Sequence, residues 1–96
     1  MMRVTFTEAA DADLDDVWLY VARDSITAAD RLTDRLIEVA KPLRDFPDMG
    51  GARDELSPGL RAVRVGPYLM FYRRRVDGVT IERILHGSRD IQGDLF

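Results

Sequence analysis

Arg61-Ala62-Val63-Arg64-Val65-Gly66-Pro67-Tyr68-Leu69-Met70-Phe71-Tyr72 is the stretch on which the fold turns. From Leu60 the strand signal takes over, and Arg61-Ala62-Val63-Arg64-Val65 alternates around a central apolar side. Gly66-Pro67 marks a reversal, and Tyr68 to Tyr72 is apolar or aromatic on both faces, which suits the central strand of a sheet. Val76-Asp77-Gly78 makes a second reversal. Val79-Thr80-Ile81-Glu82-Arg83-Ile84-Leu85-His86 then runs back as a third antiparallel strand.

Upstream, Arg3 to Thr7 alternates Val4 and Phe6 with Arg3 and Thr5, the pattern of a short first strand whose place in the sheet the pattern leaves open. The period then changes. Thr7 is positioned to cap a helix in which Leu14, Val17, Trp18 and Val21 form one stripe. Thr27-Ala28-Ala29-Asp30 reads as a variant capping box for a second helix, with Ala29, Leu32, Leu36, Val39, Ala40 and Leu43 as its apolar stripe. Pro42 lacks an N–H and should weaken or kink that helix near Lys41. Two amphipathic helices joined by a few residues form an antiparallel hairpin. Phe46-Pro47-Asp48-Met49-Gly50-Gly51 and Leu56-Ser57-Pro58-Gly59-Leu60 read as turns rather than linkers. The expected architecture is α+β: an N-terminal strand, the helix hairpin, a three-stranded antiparallel meander and a short C-terminal tail, in a single domain over residues 1–96.

Ninety-six residues with 46 % apolar content enclose one core, too small for two domains or a large cofactor cavity. The chain has no cysteine and one histidine, His86, which removes disulfides, thiolate nucleophiles, cysteine-ligated metals and histidine clusters from consideration. The expectation is no metal and no cofactor. Met1 to Glu8 turns polar and acidic before a signal-length apolar run forms, so a soluble, cytoplasmic protein without a membrane role is expected. The net charge of -3 is unevenly distributed. Residues 1–55 carry seven Arg/Lys against thirteen Asp/Glu, a balance of -6, whereas residues 56–96 carry seven Arg against four Asp/Glu, a balance of +3. Such sorting steers different partners to different surfaces, and it also arises from ordinary solvated faces.

Only Lys41 among the fourteen basic residues is a lysine. Arginine suits bidentate contact with carboxylate or phosphate. Arg61, Arg64 and Arg73 to Arg75 read either as a basic rim or as a solvated strand end. His86, at the end of the last strand, is suited to hydrogen-bonding a turn or to proton transfer, and Arg89 to an external anion or to Asp90. Tyr72 and Met70 form a contact platform if the sheet face away from the helices is open, and ordinary core if it is covered. No carboxylate pair, nucleophile elbow or phosphate loop has motif-like spacing.

Four ordered stretches, Phe46-Pro47-Asp48-Met49-Gly50, Arg53 to Arg61, Val65-Gly66-Pro67-Tyr68-Leu69-Met70-Phe71-Tyr72-Arg73 and Ile84-Leu85-His86-Gly87-Ser88-Arg89-Asp90, resemble the RelE/ParE toxin superfamily, specifically its ParE-like plasmid-stabilisation branch. The resemblance covers almost the whole chain. It implies the toxin of a type II toxin-antitoxin pair, held in a hetero-oligomer with a ParD-like antitoxin and directed against DNA gyrase, with nucleic acid contacted mainly through the target complex. On that reading the target-binding candidates are Arg61, Tyr72, Arg73, Arg83, His86 and Arg89, and the antitoxin-binding candidates are Leu14, Trp18, Val21, Leu32, Leu36 and Met70. The related RelE branch cuts mRNA in the ribosome, a chemistry that would use Arg61, Arg73, Arg83 and Arg89 for charge and Tyr72 or His86 for proton transfer. RelE-like sites resemble lysine- and arginine-rich clusters, and the C-terminal half of this chain has no lysine, which favours a non-catalytic gyrase poison. A nontoxic interaction module is the third alternative.

Overall fold

The computed structural model describes residues 2–96. Strand β1 (Arg3–Phe6) leads into helix α1 (Glu8–Ala22), which a three-residue link joins to helix α2 (Ile26–Ala40). A 3₁₀ turn over Lys41–Arg44 follows, then β2 (Gly51–Ala52), β3 (Leu60–Val65), β4 (Tyr68–Arg75), β5 (Gly78–His86) and a last 3₁₀ turn, Gly93–Leu95. The α+β order and the meander are as expected, with β4 in the centre of the sheet. Two features go beyond the sequence pattern. β1 lies parallel to β5 at one edge, and the two-residue β2 pairs with β3 at the other, giving the order β1-β5-β4-β3-β2.

Helix α1 starts where Thr7 stops being a strand residue: its Oγ1 accepts from the N–H of Ala10 at 3.0 Å. The expected cap of α2 is displaced by two residues. Ser25, in extended conformation, caps the helix by accepting from the N–H of Ala28 at 3.1 Å, and Ile26 and Thr27 lie inside the first turn. Asp30 does not reach back to the cap; its Oδ1 accepts from the indole N–H of Trp18 at 2.8 Å and ties the two helices together. The α-helix ends at Ala40 and tightens into the 3₁₀ turn at Pro42, the expected weakening.

The sheet buries both faces unequally. On the helix side, Ala10 and Val17 of α1 and Leu36 and Ala40 of α2 pack with Leu43 onto Val65, Tyr68, Met70, Tyr72, Val79, Ile81 and Ile84. On the other side Leu60, Phe71 and Leu85 are covered by Leu56 and the C-terminal tail through Ile91, Leu95 and Phe96. The Phe96 ring leans on Phe71 with centroids 4.8 Å apart. Met70 and Tyr72 therefore face the helices and are fully buried. Of the two alternatives for these residues, the structure takes the core one: the helices cover their face and leave neither side chain accessible. Gly78, at φ 140°, begins β5 where a Cβ would run into the carbonyl oxygen of Arg3, so the parallel β1–β5 pairing requires glycine there.

Candidate functional site

β5 is not regular. Phe71 pairs with Arg83 and Tyr72 with Ile81, so Glu82 is an extra residue and a bulge sits in the middle of the strand. The expected alternation of Thr80, Glu82, Ile84 and His86 against Val79, Ile81, Arg83 and Leu85 is broken there. Ile81 and Ile84 both reach the helix-side core. From the last β1–β5 pair at Ile81 onward, the start of α1 satisfies backbone groups of β5. The Thr7 hydroxyl donates to the Glu82 carbonyl at 2.8 Å, and the Thr7 N–H donates to the Ile81 carbonyl at 3.0 Å. Asp13 Oδ2 accepts the Ile84 N–H at 2.9 Å.

Asp13 also takes the Arg83 guanidinium in a fork, with Nε on Oδ2 at 2.8 Å and Nη2 on Oδ1 at 2.9 Å. Among the described residues it is the one buried charged side chain. The hydrogen bonds to Asp13 raise the pKa of Arg83 above its ordinary value, against the opposing effect of burial. Asp13 was not singled out from the sequence. A signal was present: it lies three residues after Ala10 and four before Val17, so it interrupts the buried stripe of α1 with a carboxylate.

Arg61, Arg73 and Tyr72 are also held internally. Arg61 donates from Nε to the Gly50 carbonyl at 2.8 Å and from Nη2 to the Asp48 carbonyl at 3.2 Å. The Tyr72 hydroxyl accepts from the Gly50 N–H at 2.8 Å and donates to the Pro47 carbonyl at 2.7 Å. Together they staple the loop from Phe46 to Gly50 onto the sheet. A Cβ on Gly50 would lie 2.7 Å from both the Ala62 carbonyl oxygen and the Tyr72 hydroxyl, which explains a glycine at that position. Arg73 pairs with Glu82 at 2.6 Å and donates to the Pro58 carbonyl and the Ser57 hydroxyl.

Of the six target-binding candidates, Tyr72 is thus fully buried, and Arg61, Arg73 and Arg83 are occupied by carbonyls and carboxylates of their own chain. His86 and Arg89 remain exposed. They meet at one end of the helix side, in a cleft of about 180 Å³ walled by Asp13, Asp16, Val17 and Tyr20 of α1 and by Tyr68, Ile84 and Leu85. His86 Nδ1 accepts both the N–H of Ser88, at 3.1 Å, and a hydrogen bond with the Ser88 hydroxyl at 2.7 Å. Its ring stands edge-on to Tyr68, with centroids 5.3 Å apart. Burial, followed by the neighbouring Tyr20, raises the pKa of the Tyr68 phenol above its ordinary value. Asp90 bonds Gln92 at 3.0 Å and leaves Arg89 unpaired among the described residues. Of the antitoxin-binding candidates, Leu36 and Met70 are fully buried in the core, while Leu14, Trp18, Val21 and Leu32 are half-buried along the helix hairpin.

The fold is thus a strand-helix-helix-meander domain in which Arg61, Arg73 and Arg83 bond groups of their own chain while a cleft stays open at His86 and Arg89. Residues 4–91 match the family described as ParE toxin of type II toxin-antitoxin system, parDE, and the chain belongs to that family. It is 34 % identical over 96 residues to Toxin ParE3 of Caulobacter vibrioides, covering 99 % of this chain and 96 % of that protein. It is 28 % identical over 95 residues to Toxin ParE1 of Mycobacterium tuberculosis, covering 97 % of each. Among solved structures it resembles a chain of the chromosomal ParDE TA system from P. aeruginosa, with TM-score 0.76, 28 % identity and coverage of 90 % of this chain and 96 % of that one. No group of three or more metal-ligating side chains occurs among the described residues, and no helix there is long and apolar enough to cross a membrane.

Proposed function

We propose that this ParE-family toxin inhibits DNA gyrase by direct binding, without catalysis of its own, and is neutralised by a ParD-like antitoxin. The observation that carries the non-catalytic reading is that four of the six residues a RelE-like site would use, Arg61, Tyr72, Arg73 and Arg83, are held internally, which leaves Arg89 as the one free cation of that set beside His86. A RelE-like site requires cations free to meet a scissile phosphate and a phenol or imidazole free to move a proton. Here Arg61, Arg73 and Arg83 are tied to Gly50 and Asp48, to Glu82 and Pro58, and to Asp13, and the Tyr72 hydroxyl is saturated by Gly50 and Pro47. The target-directed surface is then the exposed end at His86 and Arg89. The antitoxin lays apolar side chains along Leu14, Trp18, Val21 and Leu32, and its acidic ones reach Arg64 and Arg74, which make no ion pair among the described residues.

The purified toxin should block gyrase supercoiling or accumulate cleaved DNA complexes, and leave ribosome-bound mRNA intact. Rapid mRNA cleavage with gyrase untouched would install the RelE-like reading in its place. Inactivity in both assays, with normal growth on expression, would favour a nontoxic interaction module.

A further inference from the structure

We infer that the cleft between α1 and the ends of β4 and β5 is a binding site for a mononucleotide unit, one phosphate with its attached base. This goes beyond toxicity and antitoxin binding and stands whether or not gyrase is the target.

Three hydrogen-bond donors converge there without acceptors of their own. Tyr68 is 7 % exposed, lines the cleft, and its hydroxyl bonds no other described residue. Its ring is buried while the hydroxyl stays open to the cleft, where it is free to donate to a ligand. The second donor is His86. Because the Ser88 backbone N–H can only donate, Nδ1 must accept, and the neutral ring carries its proton on Nε2. The third is the Arg89 guanidinium, exposed and without an ion-pair partner, whose planar fork matches phosphate oxygens.

Space and aromatic surface extend the site from phosphate to nucleotide. Tyr20, Tyr68 and His86 also line an adjoining cavity of about 430 Å³ that continues to Ser88. The Tyr20 ring is 64 % exposed at the shared boundary, and Arg23 lies over it at 5.8 Å from the centroid. Every nucleobase has a π-face that such a ring can take. The charge on α1 limits the ligand. Asp13 is neutralised by Arg83, but Asp16 is exposed, lines the cleft and has no cationic partner among the described residues. A polyanionic duplex is repelled by it, whereas a single phosphate beside Arg89 is tolerated.

The test is titration of the complete chain with adenosine 5′-monophosphate, followed by calorimetry and by amide and side-chain NMR shifts. Shifts should cluster on Tyr20, Tyr68, His86 and Arg89. Arg89→Ala should weaken binding about tenfold or more, as expected for loss of a charge-assisted hydrogen bond, and Tyr20→Ala about tenfold through lost stacking. Asp16→Asn should tighten it about threefold by removing the opposing charge. A short single-stranded oligonucleotide separates the sources of the unit. Tighter binding than the monophosphate, with a steep salt dependence, assigns the site to a strand; equal or weaker binding assigns it to free nucleotide. Absence of shifts at millimolar nucleotide, affinity indifferent to Arg89→Ala, or inorganic phosphate binding as tightly as the nucleotide would each overturn the inference.

Discussion

Asp13 shows how one side chain can close several accounts of unpaired hydrogen bonds at once. It accepts the N–H of Ile84, which lies past the last β1–β5 pair at Ile81, and both branches of the Arg83 fork. Removing it strands a buried amide and a largely buried cation, so Asp13→Ala should cost about 3–5 kcal/mol of stability. Adding Arg83→Met should recover part of that loss, because the uncompensated charge is gone while the Ile84 N–H stays unmatched. Urea denaturation measures both, and an Asp13→Ala loss under about 1 kcal/mol would contradict this account. Tyr68 gives a pH dependence with a definite sign. Its folded-state pKa is raised above the ordinary 10.0 by burial and by Tyr20, so the unfolded chain loses this proton first as pH rises. The associated stability is complete below the unfolded value and is lost as pH climbs through the raised one. Melting temperature should fall over that alkaline window, and Tyr68→Phe should flatten part of the fall.

At the level of elements, the start of α2 separates pattern from structure. Ser25 and Thr27 are both capping residue types, and a threonine followed three residues later by an acid favours Thr27 on pattern alone. Ser25 is the one in extended conformation with its oxygen on the Ala28 N–H. Ser25→Ala should therefore cost about 1 kcal/mol, whereas Thr27→Ala, an exposed first-turn position, should change stability by no more than a few tenths and in the stabilising direction. Equal losses in thermal melts would restore Thr27 as the cap. The cap lies early because Asp30, the acid that the pattern assigns to the box, is engaged across the hairpin by Trp18.

Across the whole molecule, the sheet is sealed on both faces by unlike means: a helix hairpin on one side, and on the other a tail anchored by Ile91, Leu95 and Phe96. The second seal is thin. Phe96 is half-buried against Phe71, itself fully buried, with Arg53 over the same ring at 5.6 Å. Phe96→Ala should cost about 1–2 kcal/mol and expose Leu60, Phe71 and Leu85, read as a rise in binding of a hydrophobic dye before the main unfolding transition. A variant with unchanged dye binding would show that the tail does not guard this face.

Local pattern made the elements legible: arginines flanking a central apolar side in residues 61–65, an apolar run on both faces in 68–72, and a helical stripe before and after Ser25 reflect which side chains must leave water and repeat locally along the chain. The ordered strings around Pro47, Pro58, Pro67 and His86 likewise carried the family. Burial of Leu36, Met70 and Tyr72, by contrast, depended on what covers each face, which an alternating pattern does not record. The bulge at Glu82 was hidden for the same reason, since the backbone groups around it are satisfied by Thr7 and Asp13, more than sixty residues away in sequence. Arginine type alone marked Arg61, Arg73, Arg83 and Arg89 equally. Only the tertiary structure divided them, because a guanidinium is available to a partner when no carbonyl or carboxylate of its own chain lies within reach, and that is a matter of distance in space.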